Sequence, residues 1–263
     1  MDVVDYRIHG DDMQFVEIEL DPNEAVVAEA GGMMYMQDGI EMDTIFGDGS
    51  NQNKGIMGAL LGAGKRVLTG ESLFMTVFRN VVNVKRVVAF GAPIPGKIVP
   101  MALDQLGGQI IAQKDSFLAA AKGVQVGIAF QKKLGVGLFG GEGFIMQRLE
   151  GDGLAFVNAC GTLIERDLRP GEKLRVDTGC LVALQPSVQY DVQYVGKVKT
   201  ALFGGEGLFF VSLTGPGRVW LQSLPLSRLA SRIFAAAPQS GGRRKGEGSI
   251  LGGLGNLLDG DGS

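Results

Sequence analysis

Histidine is nearly missing from this chain, with one residue, His9, among 263. Triad hydrolysis and multi-histidine metal centres need imidazole at the working atom, so a lone His near the N-terminus makes both hard to build. Cysteine is scarce as well. Cys160 and Cys180 have neither zinc-site spacing nor the density of a disulfide scaffold; they read as small hydrophobes in a reducing compartment, with a mutual pair left open. No apolar run approaches the ~20 residues that a spanning helix needs. The opening MDVVDYRIHG has acids where a signal peptide wants a basic stretch and an apolar core. A net charge of −3 lacks the basic excess of a nucleic-acid binder. These shortages predict a soluble, unexported, cytoplasmic protein with no cofactor.

Glycine, in contrast, is abundant. The 42 glycines are twice the usual ~7% share and lie between apolar runs, which predicts many tight turns. The chain also repeats. LFGGEGFIMQRL (Leu138 to Leu149) matches LFGGEGLFFVSL (Leu202 to Leu213) at an offset of 64, and the match extends on both sides. Downstream, EGDG falls on TGPG; upstream, Lys133 falls on Lys197 and DSFLAA on GCLVAL. A third copy is DPNEAVVAEAGGMMYM (Asp21 to Met36) against RPGEKLRVDTGCLVAL (Arg169 to Leu184), with LTGESLFMTVF as its hairpin. Such periodicity has to be found before any fold is assigned.

Each copy reads as β-structure, with short aromatic and branched runs bounded by turn clusters. The expected architecture is all-β: three tandem sandwich-like units covering 1–100, 101–165 and 166–234. The first carries a glycine-rich insertion at 47–66. PLSRLASRIF (Pro225 to Phe234) predicts one short helix with an apolar stripe at Leu226, Leu229, Ile233 and Phe234. The segment 235–263, rich in glycine and serine, predicts a flexible tail. Units of roughly 65 to 80 residues bury little alone, so they are expected to share cores and cover one another's edge strands.

Several motifs imitate chemistry. Gly135, Gly137 and Gly140 spell the G-x-G-x-x-G of dinucleotide sites, but that loop must open a helix, and GEGFIMQRL reads as a strand. In the sister copy Gly135 and Gly137 become Lys199 and Ala201, so a structural turn is the reading. MGALLGAGKR misses the Walker spacing by one residue and has Arg66 where Ser or Thr must reach magnesium. DTG (Asp177 to Gly179) imitates an aspartic-protease triplet but occurs once, at a turn position.

Repeated polar residues are better candidates for a role. Glu71, Glu142 and Glu206 recur at one place; they either face a common ligand or cation, or cap turn amides, and the second is favoured. Lys133 and Lys197, with Lys132 and Lys199 nearby, could track phosphates, although weak aromatic interleaving disfavours nucleic acid. The insertion offers Ile56, Met57, Leu60 and Leu61, closed by Lys65 and Arg66. Too short to span a bilayer, it can dip into a membrane interface, meet another subunit, or lie as a loose loop. SILGGLGNLL in the tail is a second apolar segment, poor in helix propensity.

The segment AGGMMYMQDGIEM (Ala30 to Met42), the glycine-rich insertion with KR before LTGES, and the duplicated LFGGEG units together resemble the altered inheritance of mitochondria family. The likeness covers about Met1 to Phe234. It implies three units with a fold like the tryptophan RNA-binding attenuation protein, of jelly-roll or double-stranded β-helix type, in ring-like oligomers. It also implies a link to inner-membrane organisation among mitochondrial relatives, and no established reaction. No residue matches the attenuation protein's tryptophan or RNA sites. The expected function is a non-enzymatic homo-oligomeric platform, with a trimer among the candidate symmetries, an unknown protein partner and peripheral membrane contact. The alternative is a binding protein for a small ligand or single-stranded nucleic acid.

Overall fold

A computed structural model of the chain describes residues 4–46, 74–132, 143–194 and 209–236. The chain opens with β1 (Asp5–His9) and β2 (Phe15–Leu20). It continues through β3 (Ala25–Ala28), β4 (Met33–Met36), β5 (Ile40–Phe46), β6 (Phe74–Asn80) and β7 (Arg86–Gly91). Then come β8 (Gly96–Ala102), β9 (Gln109–Gln113), β10 (Phe117–Ala121), β11 (Gln125–Lys132), β12 (Phe144–Glu150) and β13 (Leu154–Cys160). The last group is β14 (Leu163–Leu168), β15 (Lys173–Asp177), β16 (Leu181–Leu184), β17 (Gln189–Tyr194), β18 (Phe209–Thr214) and β19 (Gly217–Gln222). Among the described residues the fold is all-β apart from short 3-10 turns and the helix α1 (Leu226–Ala236).

The described strands form four antiparallel sheets. Sheet I runs β1-β2-β7-β4, sheet II β5-β6-β3-β10-β13-β8, sheet III β11-β12-β9-β16-β19-β14, and sheet IV β15-β18-β17. One core cluster joins sheets I and II, with Ile18, Val88 and Phe90 meeting Val26, Phe78 and Phe156. A second joins sheets II and III, through Val27, Met101 and Val157 against Ile110, Ala112 and Trp220. A third joins sheets III and IV, through Ile111, Phe144 and Leu184 against Val176, Val211 and Leu213. The central strands of sheets II and III are therefore buried on both faces.

Sequence pattern follows from this placement. In sheet I, β2 is FVEIEL; Val16, Ile18 and Leu20 are buried while Phe15, Glu17 and Glu19 are only partly so, the period-2 signature of a strand with one wet face. At the centres of sheets II and III the alternation vanishes. AVVA of β3, FLAAA of β10 and LVAL of β16 are buried at every position, as strands covered on both faces must be.

Two ladders hold the long sheets together. In sheet II, β3 meets β10 with Ala28 opposite Ala119, Val27 opposite Ala120 and Val26 opposite Ala121. In sheet III, β9 meets β16 with Ala112 opposite Ala183 and Ile111 opposite Leu184. Single 3-10 turns at Ala30–Gly32, Lys114–Ser116 and Thr178–Cys180 link β3 to β4, β9 to β10 and β15 to β16. The last contains the DTG triplet. Asp177 Oδ1 accepts the Gly179 amide at 2.9 Å and Oδ2 meets Arg228 at 3.2 Å, so this aspartate caps a turn.

The strand β12 begins at Phe144, directly after Gly143, where a dinucleotide loop would open a helix; Gly135, Gly137 and Gly140 themselves lie outside the described residues. The helix expected over Pro225 to Phe234 forms as α1, one residue later at its start. Leu226 and Ile233, two members of its apolar stripe, are exposed. Chain contacts divide the protein into Met1–Arg228 and Leu229–Ser263. Cys160 is buried and Cys180 half-buried, and both are free thiols. Burial and the nearby Asp115 charge push the Cys160 thiol up to about 12, as expected of a cysteine that packs rather than reacts. No helix among the described residues is long and apolar enough to cross a membrane.

Candidate functional site

The residues nominated from sequence all fall outside the described segments: Ile56, Met57, Leu60, Leu61, Lys65, Arg66 and Glu71 between β5 and β6, Lys133 and Glu142 between β11 and β12, and Lys197 and Glu206 between β17 and β18. What the structure does fix is the set of hairpins that carry them. Phe46 opposite Phe74, Lys132 opposite Phe144 and Tyr194 opposite Phe209 are the last ladder pairs before these three connections. The second and third hairpins are tied at that end by Lys132, whose Nζ donates to the Val192 carbonyl at 2.6 Å.

A polar cluster that sequence reasoning missed lies on the outer face of sheet I. Glu17 of β2 and Tyr35 of β4 both sit opposite Ala89 of β7, so the three form one row across the sheet. Ala89 is small and fully buried, and the Tyr35 hydroxyl reaches over it to donate to Glu17 Oε1. The other carboxylate oxygen accepts from His9 Nε2 at 2.6 Å. Phe15 stacks on the His9 ring at 4.7 Å and meets Tyr35 edge-on at 6.5 Å. Gly10 ends β1 at φ 83°, where any side chain would collide with the Met13 carbonyl; this turn returns the chain so that His9 and Phe15 become neighbours.

The hydrogen bond from Tyr35, followed by that from His9, holds the Glu17 carboxyl below its ordinary value of 4.5. The carboxylate in turn raises the Tyr35 phenol. A general base works best when its pKa approaches the working pH. Glu17 is displaced the other way, so this cluster clamps β1, β2 and β4 together and is poorly suited to proton transfer. Beside it on the same face, Lys85 Nζ bridges Glu19 at 2.6 Å, Asp21 at 3.5 Å and Asp5 at 3.6 Å, which raises the lysine above its ordinary value. The signal for this face was the outward pair of glutamates in FVEIEL. Nothing local pointed to Tyr35, which is 18 residues from Glu17.

A cleft of about 410 Å³ is lined by Asp12 with Pro95, Gly96 and Lys97, and by Gly161, Thr162 and Leu163. Lys97 Nζ donates to the Asp11 carbonyl at 2.7 Å. A Cβ on Gly96 would strike the Ala159 carbonyl, so glycine is needed where β8 approaches β13. Gln147 of β12 is fully buried, and neither end of its amide has a partner. It lies opposite Ala112, whereas the matching position opposite Val176 in sheet IV is Val211. Nothing in the structure explains the amide there. Among the described residues no group of three or more His, Cys, Asp or Glu is placed to hold a metal ion.

Comparison with known proteins extends over most of this architecture. The model of the mitochondrial biogenesis AIM24 family matches residues 6–224. A protein of Streptococcus pyogenes serotype M6, itself called uncharacterised, is 30% identical over 234 residues, which is 87% of this chain and 89% of that one. The crystal structure of a Streptococcus pyogenes protein superposes with a TM-score of 0.69 at 23% identity, over 89% of this chain and 100% of that one, a likeness of fold. With both the family pattern and a relative spanning nearly its whole length, the chain belongs to the mitochondrial biogenesis AIM24 family.

Proposed function

We propose that this protein is a non-enzymatic, homo-oligomeric β-platform that supports a protein assembly at the periphery of a membrane. One observation carries the reading. Two sheets whose central strands are buried on both faces form a rigid centre; the hairpins β5–β6 and β11–β12 belong to these sheets and β17–β18 to the adjoining sheet IV, and each is joined by a connection rich in glycine. The longest connection holds the apolar run Ile56 to Ala63 followed by Lys65 and Arg66, a composition suited to an interface with anionic headgroups. Deleting residues 56–63 tests it. The full chain is expected to float with vesicles containing anionic lipid, and the deletion variant to stay behind with an unchanged thermal midpoint. Equal flotation of both would sink the membrane contact.

The cleft beside Lys97 favours a second reading, a small-ligand binder, because it sets the Lys97 ammonium, 3.9 Å from the Asp12 carboxylate, beside the apolar side chains of Pro95 and Leu163. A native mass spectrum of gently purified protein separates the two. A bare oligomer supports the platform, whereas a retained small-molecule mass that Lys97→Glu abolishes places ligand binding first.

A further inference from the structure

Sheets II and III are built on one plan. In each, the strand entering one of the three-residue 3-10 turns (β3 or β9) is joined to the strand leaving the next such three-residue turn (β10 or β16). One strand of each kind is left over. β15 enters the turn at Thr178–Cys180 and ends sheet IV; β4 leaves the turn at Ala30–Gly32 and ends sheet I. Sheet IV, ordered β17-β18-β15, corresponds to the first half of a long sheet. The β4-β7-β2 part of sheet I corresponds to the second half. Among the described residues the two halves are not joined.

Both open edges suit pairing. β4 is MMYM, with Met34, Tyr35 and Met36 exposed by 53%, 41% and 37%. It carries neither the lysine nor the proline that commonly guards a free edge, and an exposed apolar edge strand is a template for another chain. The register is set by the two existing ladders. Ala28 and Ala112 each stand two residues before their 3-10 turn, as Val176 does; Ala119 and Ala183 stand three residues after theirs, as Tyr35 does.

We propose that copies of this chain join head to tail through one continuous antiparallel sheet, β15 of one copy pairing with β4 of the next, Val176 opposite Tyr35 and Arg175 opposite Met36. The same register sets Lys173 opposite Asp38, both exposed, an opposite-charge cross-strand pair. Because β4 and β15 are different strands, the contact is heterologous and generates a ring wherever its rotation closes. This rests on the homo-oligomeric part of the platform reading and names the surface that builds it.

Arg175 and Met36 are both exposed, so cysteines there leave the cores intact. The full-length chain carrying Met36→Cys, Arg175→Cys and Cys180→Ala is oxidised and run on a non-reducing gel, with a native mass spectrum of the unmodified protein alongside. The expected result is a ladder of covalent dimers and higher species, at least tenfold more abundant than from Met36→Cys with Lys173→Cys. That diagonal pair lies roughly 7–8 Å apart, beyond the reach of a disulfide. Met36→Lys, which sets a second cation against Arg175, is expected to dissociate the oligomer, and adding Arg175→Glu to restore it. An oligomer that yields no interchain crosslink overturns the edge pairing and leaves the platform standing. A crosslink confined to single chains also overturns it, because the sheet would then close within one copy. A single copy at every concentration overturns both readings.

Discussion

β10, β16 and β4 occupy matching places in the strand order, yet they meet different surroundings. In the first two, small residues stand at the join and large ones behind it: Ala119 lies opposite Phe156 of β13, and Ala183 opposite Trp220 of β19. In β4 the sizes are reversed, with Tyr35 lying opposite Ala89 of β7. Where a neighbouring strand and a second sheet cover the position, bulk moves inward and the joining strand is reduced to alanine. Where the face meets water, the aromatic ring moves to the edge and its hydroxyl is tied to Glu17. The difference shows that strand order sets which residues could meet, while side-chain volume sets how closely two half-sheets approach.

The strongest way to break the covered arrangement is to empty it. Phe156 is fully buried in the cluster between sheets I and II, so Phe156→Ala is expected to cost ~3–5 kcal/mol. Urea unfolding followed by the fluorescence of Trp220, the sole tryptophan, measures this directly. Loss of less than about 1 kcal/mol would mean that the site collapses freely and that its packing does not hold the sheets together.

Overfilling the join gives a smaller and more selective effect. Ala120 is fully buried opposite Val27, at the place Met36 holds in β4. Ala120→Leu inserts volume into a sheet covered on both faces and is expected to destabilise by ~1–3 kcal/mol. Met36→Leu on the open edge is expected to stay within ~0.5 kcal/mol under the same denaturant series. Equal costs at the two positions would erase the distinction between join and edge.

Much of this contrast can be read before folding, and some of it cannot. The alternation in FVEIEL announces one wet face, and the unbroken runs AVVA, LAAA and LVAL announce two dry ones. PLSRLASRIF announces a helix, and DTG at a turn position is confirmed as a cap. The partner of each join is another matter. β3 meets β10 across about ninety residues of chain, and no local pattern specifies that register. Glu71, Glu142, Glu206, Lys133 and Lys197 stand out because they repeat, and the apolar run with Lys65 and Arg66 because it does not; all fall in the connections between hairpin strands, outside the described residues. Repetition marks equivalent places without bringing groups together. The cluster that is brought together, His9 with Glu17 and Tyr35, contains the one histidine, set on β1 by an alternation that also put Glu17 outward on β2.

The smallest expected effect tests the dressing of the open edge. The folded pKa of Glu17 is depressed, so its contribution to stability is present above the unfolded value of 4.5 and is lost as pH falls through the folded one. The Tyr35 phenol is raised by the same hydrogen bond. Its contribution is present below 10.0 and is lost as pH rises through its folded value. Glu17→Gln removes the ionised acceptor that both shifts depend on. Its unfolding midpoint is therefore expected to fall below that of the unaltered protein between pH 5 and pH 9, and to converge with it at strongly acid pH, where Glu17 is protonated in both states. The phenol of Tyr35, followed by ultraviolet titration, should return toward 10.0 in the variant. Because the group is at the surface, the difference in midpoint will be modest and will shrink in salt. An identical pH profile would show that water satisfies Glu17 as well as Tyr35 and His9 do, and within its own chain β4 would then be held by its ladder to β7.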